Sequence, residues 1–442
     1  MNFLDNEYDP RPFMNGKYKY LHLDEALDYD LIYDHYLNGV DTIYHNRVDA
    51  SKDDYTARER IWANYAMAEI DFGRYVTFIP GVRFEQTYVN YSGYQSILGV
   101  TQDDFEEDAG RNAEIYDLFN EVNADNIYMN VLPQIHLKIK PFQWFDVRLA
   151  YTNTISRPSY SELSPKLRVI PAKIGWEIRK GNTYLNPALS RNLDLIMTFY
   201  TQKVGLISVG LFRKDIEGFI YNRTSRIIEG TAMDVNNFGL PEEVTSKVSK
   251  GKIDYVLNNP NDAYVVGLEF DLQSTMQFLP VKGFVFNCNF TMMQSEMGYN
   301  FVYQLDKTIG IDPNTFQPIF EFNDVDTVLF DRMLRQPAYL ANIGVGYDNN
   351  RIGLSTRLSF SYQDDILTNE PAALDDRNLR ITDAYYRVDF QGIQRLYGRL
   401  SLFLNISNIF NQPDRAVQVA NGFYTKVESY GANYRLGLRY RY

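Results

Sequence analysis

Three of the four histidines, His22, His35 and His45, fall in the first fifty residues among Asp24, Glu25, Asp28, Asp30 and Asp34. Clustered carboxylates suit a hard cation such as calcium. Their spacing follows no calcium-loop pattern, so a plain acidic loop is the reading carried forward. The acidic stretch 102–108, QDDFEED, is likewise read as a solvated loop face. His136 falls on the polar side of an alternating segment, where a solvated or hydrogen-bonded role is expected. Cys288 is the single cysteine, so no intrachain disulfide can form and no cysteine-based zinc pattern exists. The chain contains no HExxH, no Walker-type phosphate loop, no G-x-S-x-G elbow and no G-x-G-x-x-G after a strand. Carboxylates abound, but none has a placed partner for a glycosidase-type pair. These residues point away from an enzyme, and no catalytic, metal or cofactor residue is nominated.

What positions the side chains is more informative than the side chains themselves. Aromatic residues make up 15% of the 442 positions, with 35 Tyr and 28 Phe, more than a soluble core needs. A net charge of −12 argues against a nucleic-acid partner, which would need clustered Lys and Arg. Period-two alternation recurs along the chain, and helical periodicity hardly at all. Phe145, Val147, Leu149 and Tyr151 alternate with Asp146, Arg148, Ala150 and Thr152; Tyr264, Val266, Leu268, Phe270 and Leu272 alternate with Val265, Gly267, Glu269, Asp271 and Gln273. The pattern predicts about thirteen strands, over 58–72, 75–90, 127–140, 143–154, 193–203, 205–221, 262–277, 283–297, 338–348, 351–364, 384–396, 398–410 and 432–442.

The links between them take turns. Short connections at 72–74, 140–142, 202–203, 279–283, 348–350 and 397–398 alternate with long ones at 91–126, 155–192, 222–261, 298–337, 365–383 and 411–431. In an up-and-down antiparallel sheet this puts every tight turn on one rim and every large loop on the other. A soluble sandwich has no reason to sort loops this way, whereas a transmembrane barrel has periplasmic turns and external loops. No apolar run reaches the length of a membrane helix, but a membrane strand turns only alternate residues to lipid. The expected fold is therefore all-β, a transmembrane antiparallel barrel whose apolar faces meet outer-membrane lipid. Tyr75, Trp144, Tyr347 and Tyr440 would form interfacial girdles. Pro80 and Pro133 fall inside strands and are expected to mark bulges near the rims.

The last strand, Tyr434 to Tyr442, alternates apolar residues with Arg435, Gly437, Arg439 and Arg441. It resembles the C-terminal signal that bacterial outer-membrane barrels present to the barrel-assembly machinery. Asn405-Ile-Ser-Asn408-Ile-Phe410-Asn411 resembles the penultimate-strand N-x-x-N-L-F-N motif of TonB-dependent outer-membrane receptors. Ile155-Ser-Arg157-Pro158-Ser-Tyr160-Ser-Glu-Leu163 is similar to their A-R-P-x-Y-x-x-L segment, and Gly181-Asn182-Thr-Tyr-Leu185-Asn-Pro187 to G-N-P-x-L-x-P with the proline displaced. Gly210-Leu-Phe212-Arg-Lys214-Asp-Ile216 and Ile79-Pro-Gly81-Val-Arg83-Phe-Glu85 resemble two further strand motifs. The flavour is that of receptors from Bacteroidetes-type bacteria.

The resemblance implies a barrel of 22 strands preceded by a signal peptide, a TonB box and a plug. About thirteen strands correspond to its C-terminal portion, with residues 1–57 as the remnant of an extracellular loop, 58–442 as barrel and the plug absent; an extra strand near 17–23 is the alternative. It implies uptake of a scarce nutrient, an iron chelate, cobalamin or oligosaccharide, with the TonB complex engaged through the N-terminal part and a surface lipoprotein as a further partner. Arg157, Tyr160 and the tyrosines of 155–192 and 222–261 are placed to touch a small-molecule or oligosaccharide ligand by stacking or charge; packing between loops is the plainer role, and none is assigned as a site. Competing readings are a soluble all-β carbohydrate-binding protein, which would bury the apolar faces between two sheets, and a smaller closed porin-like channel, which would need an even strand number.

Overall fold

The computed structural model describes residues 4–5, 26–27, 54–98, 116–171, 175–201, 204–228, 234–246, 248, 250–311, 317–369 and 379–440. The histidine-bearing segment, the acidic 102–108 stretch, the alternative strand near 17–23 and Tyr442 lie outside the described residues.

Thirteen strands form the wall: β1 Tyr55–Met67, β2 Val76–Leu98, β3 Tyr116–Phe142, β4 Phe145–Ser156, β5 Ala188–Thr201, β6 Gly205–Glu217, β7 Ala263–Ser274, β8 Phe284–Ile311, β9 Tyr339–Asn349, β10 Leu354–Gln363, β11 Tyr385–Tyr397, β12 Leu400–Ser407 and β13 Asn433–Tyr440. Each pairs antiparallel with the next in sequence. Register follows hydrophobicity. Phe78, Leu137, Leu149, Leu195, Leu211, Leu268, Met292 and Tyr339 stand opposite one another across eight successive strands. A second row runs Phe286, Val345, Leu358, Phe390, Ile406, Tyr434. These side chains are not packed under a second sheet: Leu211 is 43% exposed, Met292 45% and Tyr434 68%. A continuous apolar belt facing outward is stable only in hydrocarbon, because in water it would be an aggregation surface.

The opposite face carries the polar row Gly346, Arg357, Gln391, Asn405, Arg435. Two lumen-side glycines let aromatic rings lie flat against the wall. A Cβ on Gly437 would sit 2.6 Å from Cζ of Phe403, and one on Gly267 2.5 Å from Cζ of Phe212. At the turn rim, Phe142 stacks on Trp144 with centroids 5.1 Å apart, and Phe145 on Phe199 at 4.5 Å, a girdle of the kind expected where sheet meets headgroups.

The two strand prolines are not bulges. Pro80 pairs with Ile135 and Pro133 with Val82 in a β2–β3 register that shifts only at the far end, between Ile97 and Leu98. The cost falls on the outer neighbours instead. The Pro80 carbonyl accepts from the Ala68 N–H at 3.0 Å, so its missing N–H would have faced β1 too. There the ladder lapses between Met67 and the short strand Ile70–Phe72, without a change of register. Pro133 sits one residue beyond the last β3–β4 pair, Gln134 with Thr152. Each proline thus coincides with a gap in one ladder while the other stays intact.

Among the described residues the wall has two free edges, at β1 and β13. Among the described residues no pairing register joins β13 to β1, and an odd count makes these two strands run the same way.

Candidate functional site

Between β4 and β5 the chain forms the strands Leu167–Pro171 and Trp176–Lys180; between β6 and β7 it forms Ile220–Ile228 and Lys250–Asn258. These loop strands make one sheet. Leu167–Pro171 lies parallel to the upper end of β2 and antiparallel to Trp176–Lys180. Trp176–Lys180 pairs parallel with Lys250–Asn258, which pairs antiparallel with Ile220–Ile228, the continuation of β6 beyond Gly218. Strands β2 to β6 and the four loop strands therefore close a ring above the belt. Its filling is apolar: Leu167, Val169, Ile178, Ile227, Val235, Val244, Val248 and Ile253 form one buried cluster, and Val89, Tyr91, Tyr128, Leu163, Leu185 and Val256 another. Among the described residues the two largest buried clusters thus lie in this layer, built from loop residues and the upper ends of β2 and β3.

The family-like segments hold this layer. After β4, Ser159 caps the short helix Tyr160–Leu163 in a capping box with Glu162, which buries Leu163. Arg157 forms an ion pair with Glu85 on β2 and approaches Glu59 on β1 at 3.9 Å; Glu85 also holds Arg83 at 2.9 Å. The Tyr160 hydroxyl donates to the Glu59 carboxylate at 3.1 Å. One short segment therefore straps β4 to the two first strands. Gly181 packs against Ser164, where a Cβ would overlap the carbonyl oxygen. Asn182 donates from its backbone to Glu162 O at 2.8 Å and from its side chain to Val256 O at 3.1 Å. Asn258 donates to Asn186 O at 2.8 Å and to Gly218 O at 2.9 Å. Asn408, at φ 53°, likewise closes the last long connection, donating to Gln412 O at 3.1 Å and Gly431 O at 3.3 Å; asparagine tolerates that left-handed backbone.

Electrostatics in the layer follow burial and pairing. The Arg179 guanidinium donates to Glu177 at 2.8 Å and holds that carboxyl below the usual range, helped by Lys252, Arg179 and Arg168 charges. Lys180 donates to Phe238 O at 2.9 Å and Gly239 O at 3.1 Å, and burial pulls its ammonium below the ordinary lysine value. Burial pushes the Tyr91 phenol up. Among the described residues no three His, Cys, Asp or Glu side chains gather as a metal site.

Arg157 and Tyr160 are thus brought together by the fold, but as parts of a strap. The remaining tyrosines of the two loops divide: Tyr255 packs on Phe238 at 5.5 Å, and Tyr184 is 81% exposed at the layer's surface. The charged face of the loop sheet was not singled out by the sequence reading. Its signal was alternation in Lys252–Asn258 and Ile220–Ile228, hidden inside segments read as loops.

The family profile described as "TonB dependent receptor-like, beta-barrel" matches residues 3–409. Among solved structures, the ferric-catecholate import receptor Fiu of E. coli K12 is similar at TM-score 0.55 and 13% identity, covering 87% of this chain and 45% of that one. The Serratia marcescens hemophore receptor HasR, solved with hemophore HasA and heme, gives 0.55 and 14%, covering 87% and 51%. The siderophore receptor PiuA of Acinetobacter baumannii gives 0.53 and 13%, covering 88% and 44%. At such identities the likeness is one of fold, and the chain spans about half the length of these structures. No curated protein matches the chain.

Proposed function

The chain belongs to the TonB-dependent receptor-like β-barrel family, whose members are receptors and transporters of the outer membrane rather than enzymes, and on that premise we propose that it forms the C-terminal wall and most of the ligand-facing loops of an energised nutrient importer. The observation that supports this best is the pairing of an outward apolar belt with long connections gathered at one end and folded into a packed layer. Residues 58–442 would be barrel and 1–57 part of an external loop. The free edges of β1 and β13 would be completed by further strands of a 22-stranded barrel, and a plug and TonB-contacting segment would occupy the rest of the polypeptide. The strand ending at Tyr442 would engage the assembly machinery, and a surface lipoprotein would sit on the loops.

The names of the similar structures favour an iron chelate or heme among the nutrients considered. The test is uptake in cells: deleting the gene should abolish protonophore-sensitive accumulation of a radiolabelled iron chelate, cobalamin or oligosaccharide, and re-expression should restore it. Unchanged uptake of all three, or recovery of the protein in a detergent-free soluble fraction, would refute the reading.

A further inference from the structure

Above the pair Met293–Ala338, where the Met293 N–H donates to Ala338 O at 2.9 Å, β8 parts from β9. Its next neighbour on that side, the strand Pro318–Asp331, begins only at Met297, opposite Asp331. Residues 332–338 cross the gap. Met333 and Leu334 turn inward onto a cluster with Ala263, Val265 and Met297, and Arg335, at φ 59°, takes the chain through the left-handed region that side chains rarely adopt. The result is a groove of about 590 Å³, floored by Leu211, Val266, Leu268 and Met292, walled by Tyr339 and rimmed by Gln294, Arg332 and Gln336. Leu211, Leu268, Met292 and Tyr339 belong to the outward row of the belt. The groove therefore opens to lipid and not to the lumen.

It straddles the upper limit of the belt: along β8 the outward positions pass from Phe290 and Met292 to Gln294 and Glu296. Its volume falls within the range of about 300–1,000 Å³ typical of small-molecule sites, and from Leu211 to Tyr339 it crosses three strand intervals, about 14 Å. Every lipid can lay an acyl chain on that floor, and hydrocarbon gives no hydrophobic drive for one over another. Selection falls to the rim. There Gln336 Oε1 is shut off from water and accepts no hydrogen bond among the described residues, a costly state for an acceptor at the edge of hydrocarbon. Rotation about the last bond of the side chain, which is broad and roughly two-fold, turns that oxygen to the groove. Arg332, the charged side chain of the lining, is already paired with Asp365, so the rim lacks a donor and not a counter-ion. We infer that the groove holds one outer-leaflet lipid with an amide N–H or a hydroxyl at the junction of acyl chain and head group, the chain on the apolar floor and the donor on Gln336 Oε1. The site lies on the lipid side of the wall, so it stands apart from the nutrient-uptake reading.

Sphingomyelin and phosphatidylcholine of matched chain length are the probes. They share the phosphocholine head and differ at the junction, an amide N–H and a hydroxyl against two esters. Each is titrated into the detergent-solubilised full chain, and retained lipid is counted by native mass spectrometry. One sphingomyelin should be retained, with an affinity about fivefold above that of phosphatidylcholine, the worth of one hydrogen bond. Gln336→Met, which keeps the length and removes the acceptor, should erase that preference. Val266→Trp, which fills the groove with an apolar ring, should displace both lipids, whereas Val345→Trp, exposed elsewhere on the belt, should displace neither. Because Gln336→Met removes an unpaired acceptor, its melting temperature should match or exceed that of the unsubstituted protein, so a lost preference is not lost folding. Equal retention of the two lipids, a preference that survives Gln336→Met, or a mass of two chains without lipid would overturn the inference. Uptake that proved independent of the gene would refute the transport reading and leave this result standing.

Discussion

Placing one arginine at two adjacent positions of β7 tests the assignment of faces. Leu268 lies on the outward face between Leu211 and Met292, with Tyr264 four residues above and Leu272 four below. At ~3.4 Å per residue and a strand tilt of ~40°, four residues climb about 10 Å, so Leu268 sits near the middle of an apolar band about 25 Å tall. An arginine on the lipid face at that depth costs about 2–4 kcal/mol, a drop of about 30-fold to 700-fold in the folded-to-unfolded ratio. Glu269, next along the strand, faces the lumen opposite Gly210 and Thr291, where a longer cation has room and water. Glu269→Arg should therefore change stability by no more than ~0.5 kcal/mol. The measurement is urea unfolding of liposome-inserted protein, followed by fluorescence of Trp62, Trp144 and Trp176. Equal effects at the two sites would refute the reasoning, and a larger cost at Glu269 would invert the wall.

Other perturbations reach the remaining claims. Gly437→Ala should destabilise the last strand, β13, by about 1–3 kcal/mol through overlap with Phe403, and Phe403→Leu in the same chain should recover part of the loss, both read from the same urea titration. Glu85→Gln should cost about 1–3 kcal/mol by leaving the Arg157 and Arg83 guanidiniums short of a partner, and should raise the rate at which trypsin cuts the loop layer. Lys180 gives a pH dependence: burial lowers its folded pKa, so between that value and the unfolded ~10.4 the unfolded chain binds more protons, and the layer's stability rises with pH through this window and is lowest beneath it. Protease resistance of the layer should climb with pH more steeply in the unsubstituted chain than in Lys180→Met; parallel slopes would remove the argument.

The wall was legible because a membrane strand must repeat its apolar residue every second position, and the turn chemistry between strands is compact. All thirteen expected strands are present, with ends within a few residues wherever lipid sets the pattern. The errors lie above the belt. β2 runs to Leu98 rather than 90, β3 starts at Tyr116 rather than 127, and β8 continues to Ile311 rather than 297. In the missed end of β2 the outward positions include Ser92 and Tyr94, so the hydrophobic period fades although the backbone pairing does not. The prolines misled for a related reason: composition says that a proline removes a donor, but not which of two neighbouring strands loses it.

The loop sheet was hidden by a different effect. Its strands are short, and their apolar residues, such as Ile178 and Ile253, meet only through contacts between segments more than seventy residues apart. A parallel pairing of that kind leaves no turn signature, because no hairpin joins its partners. Arg157 shows the consequence for function. Read in sequence, a cation beside a tyrosine at the mouth suggests a ligand contact, whereas the fold commits both to Glu85 and Glu59. Arg179 and Glu177, paired on one strand of the loop sheet, likewise stand in a segment that sequence reading passed over as a connection. The layer above the belt is therefore the hardest part to read, since its packing is freed from the lipid constraint that makes the rest of the chain legible.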